Sequence, residues 1–416
     1  MDSNSDAQLA GLTVLELGSL IAGPFCTRLL GDMGARVIKV EPPGAGDPLR
    51  SWSLVTEHGS LWSLVQSRNK ESVAIDLHRP AGQDLVRGLA DRVDVLVENF
   101  RPGRMESWGL APDVLHERNP GLIVVRISGY GQTGPYRHRP GFGSTAEALG
   151  GLRYITGFPD RPPLKAGISL GDAVGALYAA MGALAALNRR SRTGRGEVVD
   201  VALHEAVFSL LESVLPEYGH AGAIRERRGN ALLGSAPSNV YPTRDGSHIT
   251  IGANGDSVFR RFCSAIGRPD LAADARFGDN QSRRANVTEL DAAIEAWTLE
   301  RTLQEAWETL NEAAVPAAPV YSVADIVRDE QYLARDMVLE MDGPAGLGRL
   351  LVPGVVPRFE EAPGGVQSLG PPVGSDTAAV LGGELGLSAE QVARLAAEGV
   401  IGLDGGELER TRRVAG

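Results

Sequence analysis

One carboxylate in this chain is placed where it could do chemistry. In ISLGDAVGALYAAMGALAALNRR, residues 168–190, Asp172 follows a glycine at the start of an apolar helical pattern and is the only charged side chain from Ile168 to Leu187. A helix apolar all round belongs in a core, so its amino terminus is expected to open into a crevice. Backbone N–H groups and the helix dipole there favour an ionised acid. Gly171 has no side chain to keep a substrate away. Such a carboxylate can act as a nucleophile, or it can be an ordinary N-cap, for which Asp is among the best residues. The window alone reads as a cap; segments elsewhere reverse that reading.

Other chemistries lack their residues. The opening ELGSLIAGP, followed by Glu41, has the outline of a dinucleotide site but not the G-x-G-x-x-G spacing that brings backbone to a pyrophosphate. A G-x-x-x-x-G-K-[ST] phosphate loop is missing, and a nucleophile elbow is not expected. His204–Glu205 begins like a zinc helix, but Phe208 stands where the second histidine would be. Cys26 and Cys263 lie far apart with no neighbouring base, which suggests neither a nucleophilic thiol nor a metal or disulfide framework. What remains is carboxylate chemistry without a metal.

The elements that must position Asp172 alternate. Apolar runs at 12–17 (LTVLEL), 36–41 (RVIKVE), 73–77, 94–98 (DVLVE), 122–127 (LIVVRI) and 197–201 read as strands. Helical patterns at 24–32, 82–89 and from Asp172 lie between them, so a parallel sheet covered on both faces is expected. After a helix at 203–215, residues 219–240 are rich in Gly, Arg, Ala and Ser. A hairpin around Asp245–Gly246 follows, then helices near 257–266, 288–297 and 303–313. The expected fold is thus α/β: a discontinuous Rossmann-like large domain, 1–219, with a small α+β domain inserted at 220–320. The segment 321–416 completes the large domain, with VPAAPV as the extended return crossing.

At 416 residues with 43% hydrophobic and 22% charged residues, the chain reads as an ordinary soluble protein of two domains. A net charge of −11 argues against nucleic-acid and membrane-surface partners. The apolar run 173–187 is shorter than the roughly 20 residues a bilayer span needs. The acidic start MDSNSDAQLAG is unlike a signal peptide. Together with the sparse cysteines, this reads as a reduced, cytoplasmic protein.

Six segments, in order, resemble the class III CoA-transferases, the formyl-CoA and carnitine CoA-transferase group. They are GLTVLELGSLIAGPFCTRLLGDMGARVIKVEPPGAGDPLR, SRNKESVAIDL, DVLVENFRPGRMESWGL, ISGYGQTGPYRHRPGF, SLGDAVGALYAAMGALAAL and TGRGEVVDVAL. The resemblance implies that Asp172 is a covalent nucleophile. It also implies that the coenzyme A thioester is a substrate, with no cofactor permanently bound. For CoA it implies contacts from Ile21 and Ala22 after the first strand and from Ile75, Asp76, Leu77 and His78 at a strand end. The ENF segment supplies Asn99 and Phe100, with Arg101 beside them, and the RPGF turn supplies Arg139, Pro140, Gly141 and Phe142. Ser107 stands where some members carry a phosphate-binding arginine, so Arg104 is expected to substitute. Gly143 stands where other members carry an acid.

The sister 2-methylacyl-CoA racemases resemble this chain too, but they use a histidine within G-H-D-x-N-Y. Here the stretch is GFGSTA, without the required base. A CoA-binding protein with no catalysis is the other alternative. The segment GNALLGSAPSNVYPT resembles members that use succinyl-CoA and small dicarboxylates, with Arg227 or Arg228 available for a distal carboxylate. An interlocked homodimer is expected, both from the discontinuous large domain and from the family.

Overall fold

Neighbouring residues of each central strand belong to opposite cores, as strands buried on both faces require. In the computed structural model, which describes residues 6–57, 59–344 and 346–404, Leu15, Ile38 and Leu96 pack into one core. Val14, Val37 and Val95 pack into the other. The seven-stranded sheet runs Ile401–Gly402, Lys70–Ile75, Arg36–Glu41, Thr13–Glu16, Val95–Glu98, Ile123–Ser128, Glu197–Ala202. All pairings are parallel except that of the edge strand Ile401–Gly402. The chain order reverses beside Thr13–Glu16, which leaves a crevice outside the carboxyl ends of the neighbouring strands. The expected α/β class stands.

The helix carrying Asp172 runs Leu170–Thr193 and is not buried all round. Its small residues Gly175, Ala176, Ala179, Ala180, Ala183 and Ala186 face inward, and it packs on the strands Ile123–Ser128 and Glu197–Ala202. Gly175 and Gly182 permit that approach: a Cβ on them would lie 2.3 Å from Leu203 and 2.6 Å from Val199. Leu177 and Met181 on the other face are 52% and 58% exposed. With 24 residues and a mean hydropathy of 1.5, the helix is long and apolar enough to cross a membrane by length and composition alone. The exclusion argued from the run's shortness therefore fails, and its packing on the sheet is the better guide.

The chain divides into two units: Met1–Leu152, Ala166–Pro216 and Arg335–Gly416 form one, and Arg153–Lys165 with Glu217–Ala334 form the other. The second unit is wider than the expected 220–320. Its three-stranded antiparallel sheet pairs Ser238–Pro242 with His248–Gly252, and the latter with Ala317–Pro319. Gly246, at φ +79°, turns the hairpin. VPAAPV is thus not a free crossing, since its middle is the edge strand of this sheet. Residues 325–334 also stay with the second unit, and the return begins at Arg335. The helix expected at 203–215 is two, Leu203–Phe208 and Val214–Ala221, with Glu212 between them in the left-handed region. Residues 1–5 of the acidic start lie outside the described residues.

Candidate active site

Asp172 is not the N-cap of its helix. The N-cap is Ser169, whose side chain makes no capping bond, and Asp172 is the third helical residue. Its half-buried carboxylate accepts the Gly143 N–H at 3.2 Å through Oδ1. Gly143 opens the short helix Gly143–Leu149, which packs against the Asp172 helix. The backbones meet where both lack a side chain: a Cβ on Gly143 would lie 2.1 Å from Asp172 Oδ2, and one on Gly171 would lie 2.5 Å from the Gly143 carbonyl oxygen. The carboxylate thus borders bare backbone, and an acid at position 143 would not fit beside it. Within Gly141–Ala146 there is no ionisable side chain, and His138 is exposed, so this stretch supplies no histidine for the proton-transfer alternative.

A second cluster forms at the carboxyl ends of the central strands. Ile75, Asp76, Leu77, His78 and Phe100, all expected from the sequence, line one cavity of about 210 Å³ with Gly18, Ser19, Asp47 and Trp108. Phe100 and His78 meet the Trp108 ring edge-on, with centroids 5.0 and 5.9 Å away. Arg104 lies over the same ring, 5.4 Å from its centroid. Ile21 is the N-cap of the helix Ala22–Asp32 and offers no side-chain cap, so the first N–H groups of that helix, from Ala22 on, meet no capping side chain. Asp172 is not among the residues lining this cavity.

Asn99 is engaged with the backbone of the loop after the first strand. Its side chain accepts the Ser19 N–H at 2.8 Å and donates to the Ser19 carbonyl at 2.9 Å, clasping the loop at the cavity wall. Asp47 holds the next residue, accepting the N–H of Leu20, whose φ is +64°. A non-glycine residue in that region is strained and persists only where its surroundings hold it. Lys39 completes the support, reaching the Gly18 carbonyl at 3.0 Å, Glu16 at 2.6 Å and Asp47 at 2.8 Å. Lys70 reaches Glu16 from the other side at 2.7 Å. Burial alone would raise the Glu16 carboxyl, but the two ammonium groups outweigh it and hold the group below the usual carboxylate range. Burial pulls Lys70 down to about 8. Sequence reasoning missed Lys39, Asp47 and Trp108, and also Glu147, which is 1% exposed.

Arg101 is exposed. Arg139 stacks on Tyr136, 3.7 Å from the ring centroid, and Pro140 and Phe142 are exposed, while Gly141 packs against Gly129 and Tyr130. In the second unit Arg227 is committed to the carbonyls of Tyr154 and Phe158, whereas Arg228 lines a separate cavity of about 380 Å³. Burial pushes the Cys26 thiol up to about 12 and that of Cys263 to about 11, which leaves little thiolate at neutral pH.

Comparison with known proteins gives a consistent result. A model of CoA-transferase family III matches residues 9–377. The chain is 50% identical over 394 residues to a succinyl-CoA–D-citramalate CoA-transferase of Chloroflexus aurantiacus, covering 94% of this chain and 98% of that one. It is 41% identical to the alpha subunit of a succinyl-CoA–L-malate CoA-transferase of Chloroflexus aurantiacus, covering 94% and 92%. The crystal structure of a CaiB/BaiF family protein from Brucella suis superposes with a TM-score of 0.82 at 33% identity, covering 91% of this chain and all of that one.

Proposed function

The chain belongs to CoA-transferase family III and is a CoA-transferase, and from that premise we propose that it moves CoA from succinyl-CoA to a small dicarboxylate through covalent intermediates on Asp172. The observation that carries this reading is the Asp172 carboxylate at the mouth of its helix, bordered by the backbone of Gly143 and Gly171. The carboxylate attacks the thioester carbonyl, forming an aspartyl–acyl anhydride and releasing CoA thiolate. The thiolate attacks the aspartyl carbonyl of the anhydride, giving an aspartyl-CoA thioester and the donor acid. The acceptor carboxylate then displaces the thiolate from Asp172 as a new anhydride. Attack of the thiolate on the acceptor's carbonyl forms the product thioester and restores the carboxylate. One thioester is exchanged for another, so no external energy source is required. Splitting the transfer this way replaces one difficult step by several easier ones.

The strand-end cavity suits the nucleotide end of CoA. Phe100, Trp108 and His78 offer ring surfaces to a base, and Ile75, Asp76 and Leu77 border it. Ile21 and Ala22 present the start of a helix to a phosphate, and Arg101 and Arg104 supply positive charge nearby in sequence. The exposed turn Arg139–Phe142 leads directly into Gly143 and lies on the pantetheine side of this reading. The relatives that act on D-citramalate and L-malate support a dicarboxylate acceptor. With succinyl-CoA as donor, D-citramalate or L-malate is expected to give a kcat/KM at least about tenfold above those of oxalate and carnitine, a difference of about 1.4 kcal/mol in transition-state binding. Preference for oxalate or for a monoacid would contradict the specificity.

The same reading includes an interlocked homodimer in a reduced cytoplasm. The first unit is left at Leu152 and again at Pro216, and is re-entered at Ala166 and Arg335, a discontinuity that suits chains closed around one another. Leu177, Met181, Phe208, Leu210 and Leu215 are each at least 44% exposed, apolar side chains that a partner chain would cover. Light scattering over a wide dilution range is expected to give the dimer mass wherever the protein is folded. A folded monomer at low concentration would contradict the arrangement.

A further inference from the structure

We propose that Glu147 is the positioning residue of the nucleophile, acting on Asp172 through the N–H of Gly171. The inference rests on the reading of Asp172 as the attacking group. The helix Leu170–Thr193 begins without a side-chain cap from Ser169, so its first-turn N–H groups need partners from elsewhere. Glu147 supplies one, accepting the Gly171 N–H at 3.1 Å through Oε1. It reaches across from the helix Gly143–Leu149, whose first residue donates its own N–H to Asp172. Gly143 and Glu147 are four residues apart, on one face of that helix. They grip two consecutive residues, Asp172 and Gly171, at the mouth of the other.

The grip has a directional consequence. An acidic side chain in a helix's first turn readily turns back onto that turn's unpaired N–H groups, as in a capping box. Glu147 occupies the Gly171 N–H, so that donor does not draw the Asp172 carboxylate away from the Gly143 N–H. A carboxylate 1% exposed is costly to bury unless its hydrogen bonds compensate. The one to Gly171 fixes the helix mouth from which Asp172 projects. Glu147 itself forms no bond to substrate in this scheme.

Three full-length variants test the assignment: Glu147→Ala, Glu147→Gln and, as a reference for lost chemistry, Asp172→Asn. The measurements are kcat and KM for succinyl-CoA, the single-turnover rate of hydroxylamine capture at Asp172, and thermal melting. Glu147→Ala is expected to lower kcat and the capture rate by about 100-fold, the cost of misplacing a reacting group by about 1 Å, with KM for succinyl-CoA within about threefold. Glu147→Gln, whose amide oxygen can still accept the Gly171 N–H, is expected to recover to within about tenfold of the parent kcat. Capture at the parent rate in Glu147→Ala would overturn the proposal. So would a Glu147→Gln protein that melts like the parent yet is as slow as Asp172→Asn, and this arm decides even if Glu147→Ala does not fold. Failure of the parent itself to be captured at Asp172 would count against the nucleophile reading instead.

Discussion

Replacing Asp172 with alanine lowers CoA transfer by on the order of 10⁴-fold or more, the scale on which an enzyme loses activity when its covalent nucleophile is removed. The fold survives, because the residue is half-buried and is not the N-cap of its helix. The change removes the acceptor of the Gly143 N–H, and an unsatisfied backbone donor costs about 1–3 kcal/mol. Asp172→Asn separates the two effects. The amide oxygen can still accept the Gly143 N–H, so the melting temperature stays close to that of the parent, but an uncharged amide does not attack a thioester. Steady-state transfer with succinyl-CoA, read beside thermal melting, checks both parts. An asparagine variant with normal turnover would exclude covalent catalysis at this residue.

Gly143→Ala produces the second large loss, and it does so without touching a charged group. The added methyl would sit 2.1 Å from Asp172 Oδ2 and 2.5 Å from Asp172 Cγ, far inside van der Waals contact. The side chain of Asp172 has to move, since the Gly143 backbone is packed against Gly171. A displacement of about 1 Å in a reacting group costs about 100-fold in rate, so kcat falls by at least that factor while KM for the acyl-CoA changes little. Gly167→Ala is the matched control, because a Cβ there meets nothing within 4 Å. It is expected to leave kcat within about twofold, as surface substitutions away from such features generally do. Equal behaviour of the two variants in steady-state assays would show that the close approach at Gly143 has no catalytic consequence.

Asp172 stands out in the sequence because a single acid after a glycine interrupts a long apolar pattern, and because the flanking segments resemble a family in order and spacing. The same window misled about burial. Its apolar residues are sorted by size, with Ala and Gly against the sheet and Leu177 and Met181 outward, and hydrophobicity alone does not distinguish those faces. Lys39 shows a different limit. In RVIKVE it reads as the polar position of an alternating strand, but the strand is central and Glu16 lies opposite it in register, so the charge is buried and paired. The register of a parallel sheet is a long-range property that a local window does not contain.

Glu147 was hidden for a related reason. A glutamate within AEAL looks like a solvated helical charge, and only the packing of its helix brings it to the Gly171 N–H. Asn99 was picked out for its place in ENF, but its clasp on Ser19 spans 80 residues of sequence and lies outside any local window. The strand Ala317–Pro319 was mistaken for a crossing because two prolines in VPAAPV suit an extended linker as well as an edge strand.

Covalent capture tests the central claim most directly. The enzyme is incubated with succinyl-CoA, quenched with hydroxylamine, digested and sequenced by mass spectrometry. Both proposed intermediates carry an activated aspartyl carbonyl, so the peptide containing Gly171 and Asp172 is expected to return with Asp172 as its hydroxamate. Capture should require the acyl-CoA and disappear in Asp172→Asn. An unmodified Asp172 in a sample that is demonstrably turning over, or a hydroxamate on another acid, would contradict the account.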